Sequence, residues 1–489
     1  MRKRELIVII VSIIVSLIGA IVLAGLSLKW MIAVIVAIAF IMILLIVRDA
    51  ERVLLFALTL IIPFHIGTGL PAFLVHFGHI GLSQALDVQF IDILVVSLLM
   101  CRLARLATQR AEIRLYPFTT VPALAWLVAS ALSAVNAKEL DLTVMQIVQM
   151  AKLLLLYIVV ANSIKDEADI KWLVQALLLG VLFQGLLGSY QWITGGPLGL
   201  SFLGEPSQLF YGRPSGTIGH PNGYGIFLSA TLPVALALLF LEIRGLYKSL
   251  VGVVLCVGFL GLIFSLSRGA WLAFLVASIA VLVFAIRRRR RNLQIAVVGS
   301  GSILLVLLVL IFSQRDLITA RLTSSQANES ALGRIPLAQG AIAMIQDYPI
   351  LGVGLNNYSL LMPKYDPIDF AKQGKIVIVH NIFLLIAAET GLVGLAAFLW
   401  FLASLFVQAK RLNSQAPNDI VWLAGVGAFA GFAALTVHGM VDYDLLANVT
   451  VFRVLWLFAA IVAGLSAYAG RERDASNHSL LYENDKAPF

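Results

Sequence analysis

Three side chains in this 489-residue chain have the chemistry to act on a charged substrate. His380 stands next to Asn381, and after nine more residues comes Gly391-Leu392-Val393-Gly394, inside an apolar run. A histidine at the mouth of a membrane helix faces water and has a tunable proton. Arg268 and Arg334 precede it, at positions expected on the same side of a membrane. A guanidinium keeps its charge in poor solvent and its fork of donors fits a phosphate. A base and two fixed cations beside a bilayer suggest work on a lipid-linked anion.

These groups need a membrane to hold them, and the composition supplies one. Hydrophobic residues make up 60% of the chain and charged residues 12%, with a mean hydropathy of +0.96. A soluble domain carries about 25% charged residues. Apolar stretches near the length that crosses about 30 Å of hydrocarbon recur throughout. They are too continuous for the alternating strands of a β-barrel. The expected fold is therefore an all-α polytopic membrane protein with about 12–14 transmembrane helices. The candidate spans are 6–27, 30–47, 53–66, 90–103, 118–135, 144–161, 172–193, 224–241, 250–264, 270–286, 295–312, 382–406, 421–437 and 451–467. The span at 53–66 is short and contains Pro63, as a re-entrant segment would. The basic start followed by an apolar run resembles a signal peptide, but its length reads better as an uncleaved first helix.

Orientation follows from charge. With the N-terminus in the cytoplasm and alternating spans, 23 of the 35 basic residues fall on the cytoplasmic side and 10 outside. That bias satisfies the positive-inside rule. It reads the five arginines at 287–291 as a topology anchor, not a nucleic-acid patch, despite the net charge of +9. Both termini are then cytoplasmic. Cys101 and Cys256 lie in or beside apolar helices and signal neither a disulfide nor a metal site.

Three outer segments are too long to be plain turns: 67–89, 194–223 and 313–379. The last predicts an amphipathic helix on the outer membrane surface between Ser330 and Tyr348, beginning near Ile335 to accommodate Pro336 and stopped by Pro349. Arg334 at its start is unfavourable against the helix dipole unless an anion is shared there. Arg213, Thr217, His220 and Asn222 occupy a glycine- and proline-shaped loop, where Thr217 and Asn222 could donate to sugar or phosphate oxygens. His438, Asp442 and Asp444 surround a short outer loop, where Asp442 could orient an arginine or a histidine. Lys152 and Arg453 lie at membrane depth and require partners, structural ion pairing being the default. No zinc pattern occurs, and Gly352-Val353-Gly354-Leu355-Asn356-Asn357 follows no strand, so it is no dinucleotide loop.

Taken together, Gly219-His220-Pro221-Asn222-Gly223, Ser267-Arg268-Gly269-Ala270-Trp271, Gly333-Arg334, the 349–354 segment, and His380-Asn381 with Gly391-x-x-Gly394 resemble the O-antigen ligase and O-antigen polymerase superfamily. The resemblance covers about residues 205–445. It implies a GT-C-like helical bundle acting on the outer face of the bacterial cytoplasmic membrane. The implied reaction is metal-independent, inverting glycan transfer without a cofactor. The implied donor is a glycan on undecaprenyl diphosphate. The implied acceptor is a sugar hydroxyl, on lipid A–core for a ligase or on another lipid-linked chain for a polymerase. By motif, His380 is the base and Arg268 and Arg334 hold the diphosphate. Arg213, Asn222, Asn381, His438 and Asp442 are the substrate-binding candidates.

The expected organisation is N-terminal helices at 1–204, a catalytic module at 205–445, and a last helix with a cytoplasmic tail at 446–489. The rival readings are a small-molecule transporter or lipid flippase, which would place ionisable groups at mid-membrane depth, and a non-catalytic envelope scaffold, in which His380 and the arginines would be replaceable.

Overall fold

A backbone in hydrocarbon has no water to satisfy its N–H and C=O groups, so this chain folds almost wholly into helices. The computed structural model describes residues 49–69, 87–108, 112–243, 245–288, 334–366 and 377–484. It divides into two compact units, Met1–Leu54 and Leu55–Phe489, and all the candidate site residues lie in the second. The elements in chain order are α1 (Ala50–Ile61), β1 (Gly67–Gly69), β2 (Asp87–Gln89), α2 (Phe90–Ala107), α3 (Pro117–Leu132), α4 (Leu140–Ser163), α5 (Glu167–Thr194), α6 (Pro221–Leu239) and α7 (Gly245–Phe264). Then come α8 (Arg268–Arg288), α9 (Arg334–Asp347), α10 (Tyr358–Leu361), α11 (Ile382–Ser414), α12 (Asp419–Gly439), α13 (Asp444–Ala447) and α14 (Val449–Asn484). β1 and β2 form one short antiparallel pair.

Nine helices among the described residues are long and apolar enough to span a membrane: α3 to α8, α11, α12 and α14. The chain is an all-α, multi-pass membrane protein. The sequence spans 6–27, 30–47 and 295–312 lie outside the described residues. The span expected at 53–66 is instead a helix of 12 residues, α1, which stops before Pro63. That is well short of the roughly 20 residues a crossing needs. The segment expected at 90–103 is α2, an 18-residue helix carrying Asp92, Arg102 and Arg105, and it is not among the nine.

α6 packs against α7, α8 and α12, and α14 packs against α4, α11 and α12. An aromatic cluster joins three helices at the centre: Trp126 of α3 lies 4.7 Å from Phe398 of α11, and Phe401 lies 5.1 Å from Trp456 of α14. Offset rings at this spacing add specific attraction to their burial. Along α3, Val121, Leu124, Val128 and Leu132 form an exposed stripe at helical spacing, the face expected against lipid. The deep charges have partners. Lys152 Nζ is 2.7 Å from Asp92. Arg453 donates to the Gln89 side chain and to the carbonyl of Phe64.

The two ends of the bundle differ. At one, Arg288 meets Asp419 at 3.2 Å and Asn418 donates to Glu167, close to Lys165, Arg287, Lys410 and Arg411. At the other, the connections before α4, α6, α8, α11 and α14 bond to one another. Glu139 N donates to Asn357, Arg213 to the Ser265 carbonyl, and Asn381 to the Met440 carbonyl. Every candidate site residue named from the sequence lies at or near this second end.

The geometry of that end depends on a break in α11. Gly391 has φ +70° and ψ −177°, which splits the helix. Segment 349–354 closes the gap. Val353 and Gly354 donate to the carbonyls of Ala388 and Glu389, while Leu392 N donates to the Pro349 carbonyl at 2.8 Å. A backbone broken inside a membrane must find such partners. The approach is close enough that a Cβ on Gly391 would sit 2.0 Å from the Ile350 oxygen, and one on Gly352 2.4 Å from the Glu389 carbonyl carbon. Gly391→Ala should therefore lower the melting temperature in detergent, since the backbone strain alone is worth about 1–3 kcal/mol. Gly252, which has nothing within 4 Å of an added Cβ, supplies the control. Equal melting temperatures for Gly391→Ala and Gly252→Ala would contradict the tight clasp.

Candidate active site

His380 is placed by its neighbour. The Asn381 side-chain oxygen accepts from the backbone N–H of Phe383 and Leu384, at 2.9 and 3.0 Å, and so caps α11. Its amide nitrogen donates to the Met440 carbonyl at 2.9 Å, fixing that end of α11 to the connection after α12. A cap of this type satisfies the free donors of a helix start. It leaves the His380 ring half-buried, 5.1 Å from the Tyr443 ring, with Nδ1 3.9 Å from Asp442 Oδ1. That is an ion-pair separation, longer than a hydrogen bond, and His380 Nδ1 is buried without a hydrogen-bond partner.

Asp442 is a fixed anion. It accepts from Asn222 Nδ2 at 2.6 Å and from the backbone N–H of Tyr443 and Asp444 at 2.7 and 3.2 Å. Burial alone would raise its pKa, but His380 and the charges of His438 and His220 hold the carboxyl below the usual carboxylate range. Donors aimed at a carboxylate favour its charged form in the same way.

Arg334 opens α9, whose Leu337, Gly340, Ala341 and Met344 are buried, with the helix packed on α11. Its outward side mixes Ile335 and Ile342 with Gln339, Gln346 and Asp347. α9 runs directly into the 349–354 clasp, with Gly352 N donating to the Tyr348 carbonyl. The same clasp thus sets both Arg334 and the helix that starts beside His380. The Arg334 Nε is buried without a hydrogen-bond partner. Burial lowers its pKa from the ordinary arginine value, as does the like charge of Arg268, while Asp442 opposes them. Arg268, the first residue of α8, is exposed and has no hydrogen bond or ion pair among the described residues. The turn before it is rigid. Ser267 N donates to Ser265 Oγ, Leu266 takes a left-handed conformation at φ +52°, and Gly269 packs so closely that a Cβ there would meet Val441 at 2.8 Å.

Of the residues named from the sequence, the structure draws His380, Asn381, Asp442, His438 and Asn222 together, with Arg268 at the border and Arg334 within the charge field of Asp442 and Arg268. Ser267 Oγ lies 3.4 Å from the buried His438 Nε2. Arg213 is buried and donates to the Ser265 carbonyl at 2.9 and 2.7 Å and to Asn222 Oδ1 at 3.0 Å. Asn222 is therefore engaged through both ends of its amide. Thr217 corrects an expectation: it is fully buried, with Oγ1 donating to the Pro63 carbonyl at 2.8 Å, so it is not presented to a ligand. One pairing is not legible in the sequence. His220 Nδ1 lies 2.9 Å from Asp444 Oδ2, across 224 positions of sequence. No local pattern announces a pairing at that range.

Residues 251–399 match the family model described as O-antigen ligase. No curated protein matches the chain. The match takes in Arg268, Arg334, the clasp, His380-Asn381 and both glycines of Gly391-x-x-Gly394. Over that stretch, a little under a third of the chain, the protein is similar to O-antigen ligases, which supports a membrane enzyme of the O-antigen ligase and polymerase type.

The His220–Asp444 pair makes stability depend on pH. Burial would depress His220, but the charge and hydrogen bond of Asp444, helped by Asp442, outweigh burial and Arg213 and raise its pKa. A raised histidine contributes stability that is fully present below the unfolded value, about 6.5, and lost as pH rises through the folded value. The melting-temperature gap between wild type and His220→Gln should therefore be wider at about pH 5.5 than at about pH 8.5. A gap that widens toward high pH would contradict the pairing.

Proposed function

We propose that this chain is a metal-independent, inverting membrane glycosyltransferase of GT-C-like architecture, O-antigen ligase-like, with O-antigen or exopolysaccharide polymerase as the alternative within the superfamily. It moves a glycan from undecaprenyl diphosphate to an acceptor sugar hydroxyl on the outer face of the cytoplasmic membrane. The chemistry belongs to the module at 205–445. The observation that carries the reading is a cationic site with an unmet donor: Arg334 brings a buried, unpartnered Nε–H into the charge field of Arg268 and of Asp442, the carboxylate that His380 faces. Two like charges held together, one of them losing its water, form a stable arrangement when an anion is shared between them. A diphosphate is such an anion, and guanidinium forks fit it.

His380 serves as the base. Its Nδ1 faces Asp442, which leaves Nε2 to take the acceptor proton. The acceptor oxygen attacks the anomeric carbon on the face opposite the diphosphate. The new C–O bond forms as the old one breaks, the configuration inverts, and undecaprenyl diphosphate departs with the bonding pair. Arg268 and Arg334 stabilise the charge that develops on it. Asp442, held by Asn222 and two backbone donors, stabilises the imidazolium. Arg213, Asn222 and Asn381 act as positioning residues, because the atoms they present are bonded to protein. The charge term is commonly worth about 3–4 kcal/mol per key donor.

In a reconstituted assay with undecaprenyl-diphosphate oligosaccharide and lipid A–core, in EDTA, Arg268→Ala and Arg334→Ala should each lower kcat about 10²–10³-fold. His380→Ala should lower it about 10²–10⁴-fold. Wild-type turnover in folded His380→Ala would remove the base assignment. Turnover that requires lipid A–core would mark a ligase, and chain growth without it a polymerase.

A further inference from the structure

A pair of aromatic side chains stands at the site end of the bundle with no role in the transfer chemistry. Phe210-Tyr211-Gly212-Arg213 is a tight hairpin turn closed by Arg213 N donating to the Phe210 carbonyl at 3.1 Å. Both central residues have positive φ, +52° at Tyr211 and +68° at Gly212, the signature of a type I′ turn. Asn, Asp or Gly ordinarily fills the first of these positions, and a bulky side chain there costs free energy. Here the strained position carries a tyrosine that is 71% exposed, beside a Phe210 that is 47% exposed. The two rings pack edge to face at 4.6 Å, and Phe210 packs in the same way on His220 at 5.0 Å. The His220 Nδ1 is held by Asp444, so the ring is oriented and its Nε2 makes no hydrogen bond among the described residues.

The turn is also tied to the transfer site. Arg213, its last residue, is buried and bonded to the Ser265 carbonyl, three positions before Arg268, and to Asn222, which in turn holds Asp442. The display of the aromatics is thus tied to Arg268 and to the carboxylate that His380 faces. An aromatic face with an oriented imidazole at its edge suits a pyranose ring, which offers a C–H face for stacking and hydroxyls at its rim. Strain kept at an exposed position points to use by a ligand.

We propose that Phe210, Tyr211 and His220, with Asp444 behind the imidazole, form a sugar-ring subsite that holds a glycan residue of one of the two substrates beside the transfer centre. This rests on the glycan-transfer reading above. The rings stack on the sugar, and His220 Nε2 meets a hydroxyl.

The test uses the full chain in nanodiscs and, as probe, the lipid-free oligosaccharide released by mild acid from the producing cell's own lipid-linked glycan. Binding is followed by saturation-transfer NMR. Tyr211→Asn suits the left-handed turn, so it should keep or raise the melting temperature while weakening the probe about tenfold, the loss of one aromatic contact. His220→Ala should weaken it similarly, and Arg268→Ala should leave it unchanged. In turnover assays, Tyr211→Asn should raise one KM while kcat holds. A raised donor KM places the donor glycan in the subsite, and a raised acceptor KM places the acceptor there. Unaltered probe binding in Tyr211→Asn overturns the subsite. So does a loss of affinity for anionic vesicles with probe binding intact, which would make the turn a membrane anchor. If His380→Ala still transfers glycan while probe binding depends on Tyr211, the subsite stands and the transfer mechanism falls.

Discussion

The break at Gly391 is the constraint on which the site end of the bundle depends. A continuous α11 would satisfy its own backbone and leave segment 349–354 nothing to bond. With the helix opened, that segment supplies the missing partners and is gripped in return. The grip continues beyond it. Leu355 N donates to Ser133, Thr143 to the Leu355 carbonyl, and Asn357 bonds to the turn before α4. Glu389 is buried beneath this strap and accepts from Tyr358 N at 3.3 Å. One unusual glycine dihedral thus joins α3, α4, α9 and α11, and the two glycines of Gly391-x-x-Gly394 read as a requirement for space. A Cβ on Gly394 would sit 1.9 Å from the Thr390 hydroxyl oxygen.

Around that frame the charges are distributed unevenly, and the unevenness is chemical. Carboxylates at 442 and 444 are bonded to side chains and backbone, so neither is free to wander. Arg213 is likewise fully committed to protein oxygens. Arg268 and the Arg334 Nε are not, and they are the groups that a resemblance to glycan-transferring enzymes assigns to phosphate. Buried polar groups in proteins are nearly always paired, so the Arg334 Nε, unpaired in the charge field of Arg268 and Asp442, is where an anion would be accommodated.

Much of this was legible in advance, because it is written in short-range pattern. Long apolar runs gave the helices, and the start expected near Ile335 with the stop at Pro349 matches α9 to within two residues. His380-Asn381 and its two glycines pointed to the end of the bundle where the candidate residues meet. What hydropathy could not give were features decided at long range or by competing local rules. Segment 53–66 is apolar enough to cross a membrane, yet its helix stops before Pro63 and feeds a strand. Thr217 reads as a ligand-facing hydroxyl in a polar loop, but Gln184 and the Pro63 carbonyl, both distant in sequence, capture it. The 352–357 stretch looked like a failed phosphate loop because its glycines serve a helix break some forty residues downstream. His220 and Asp444 find each other only because α6 and α13 pack together.

α6 has the lowest mean hydropathy of the nine spans, 1.5, and yet 89% of its membrane window is shielded by protein. Such a helix enters lipid on weak terms, because partition into the bilayer scales with apolar content. Its shelter includes α12, synthesised some 180 residues later. The centre of the bundle is therefore complete only once nearly the whole chain has been translated. Until then α6, with Pro233 in its interior, is a half-accommodated guest of the insertion machinery. The candidate-site end is in this sense a late product of biogenesis. A lesion in α12 would reach the cell first as a failure of membrane quality control, before any question of turnover arose.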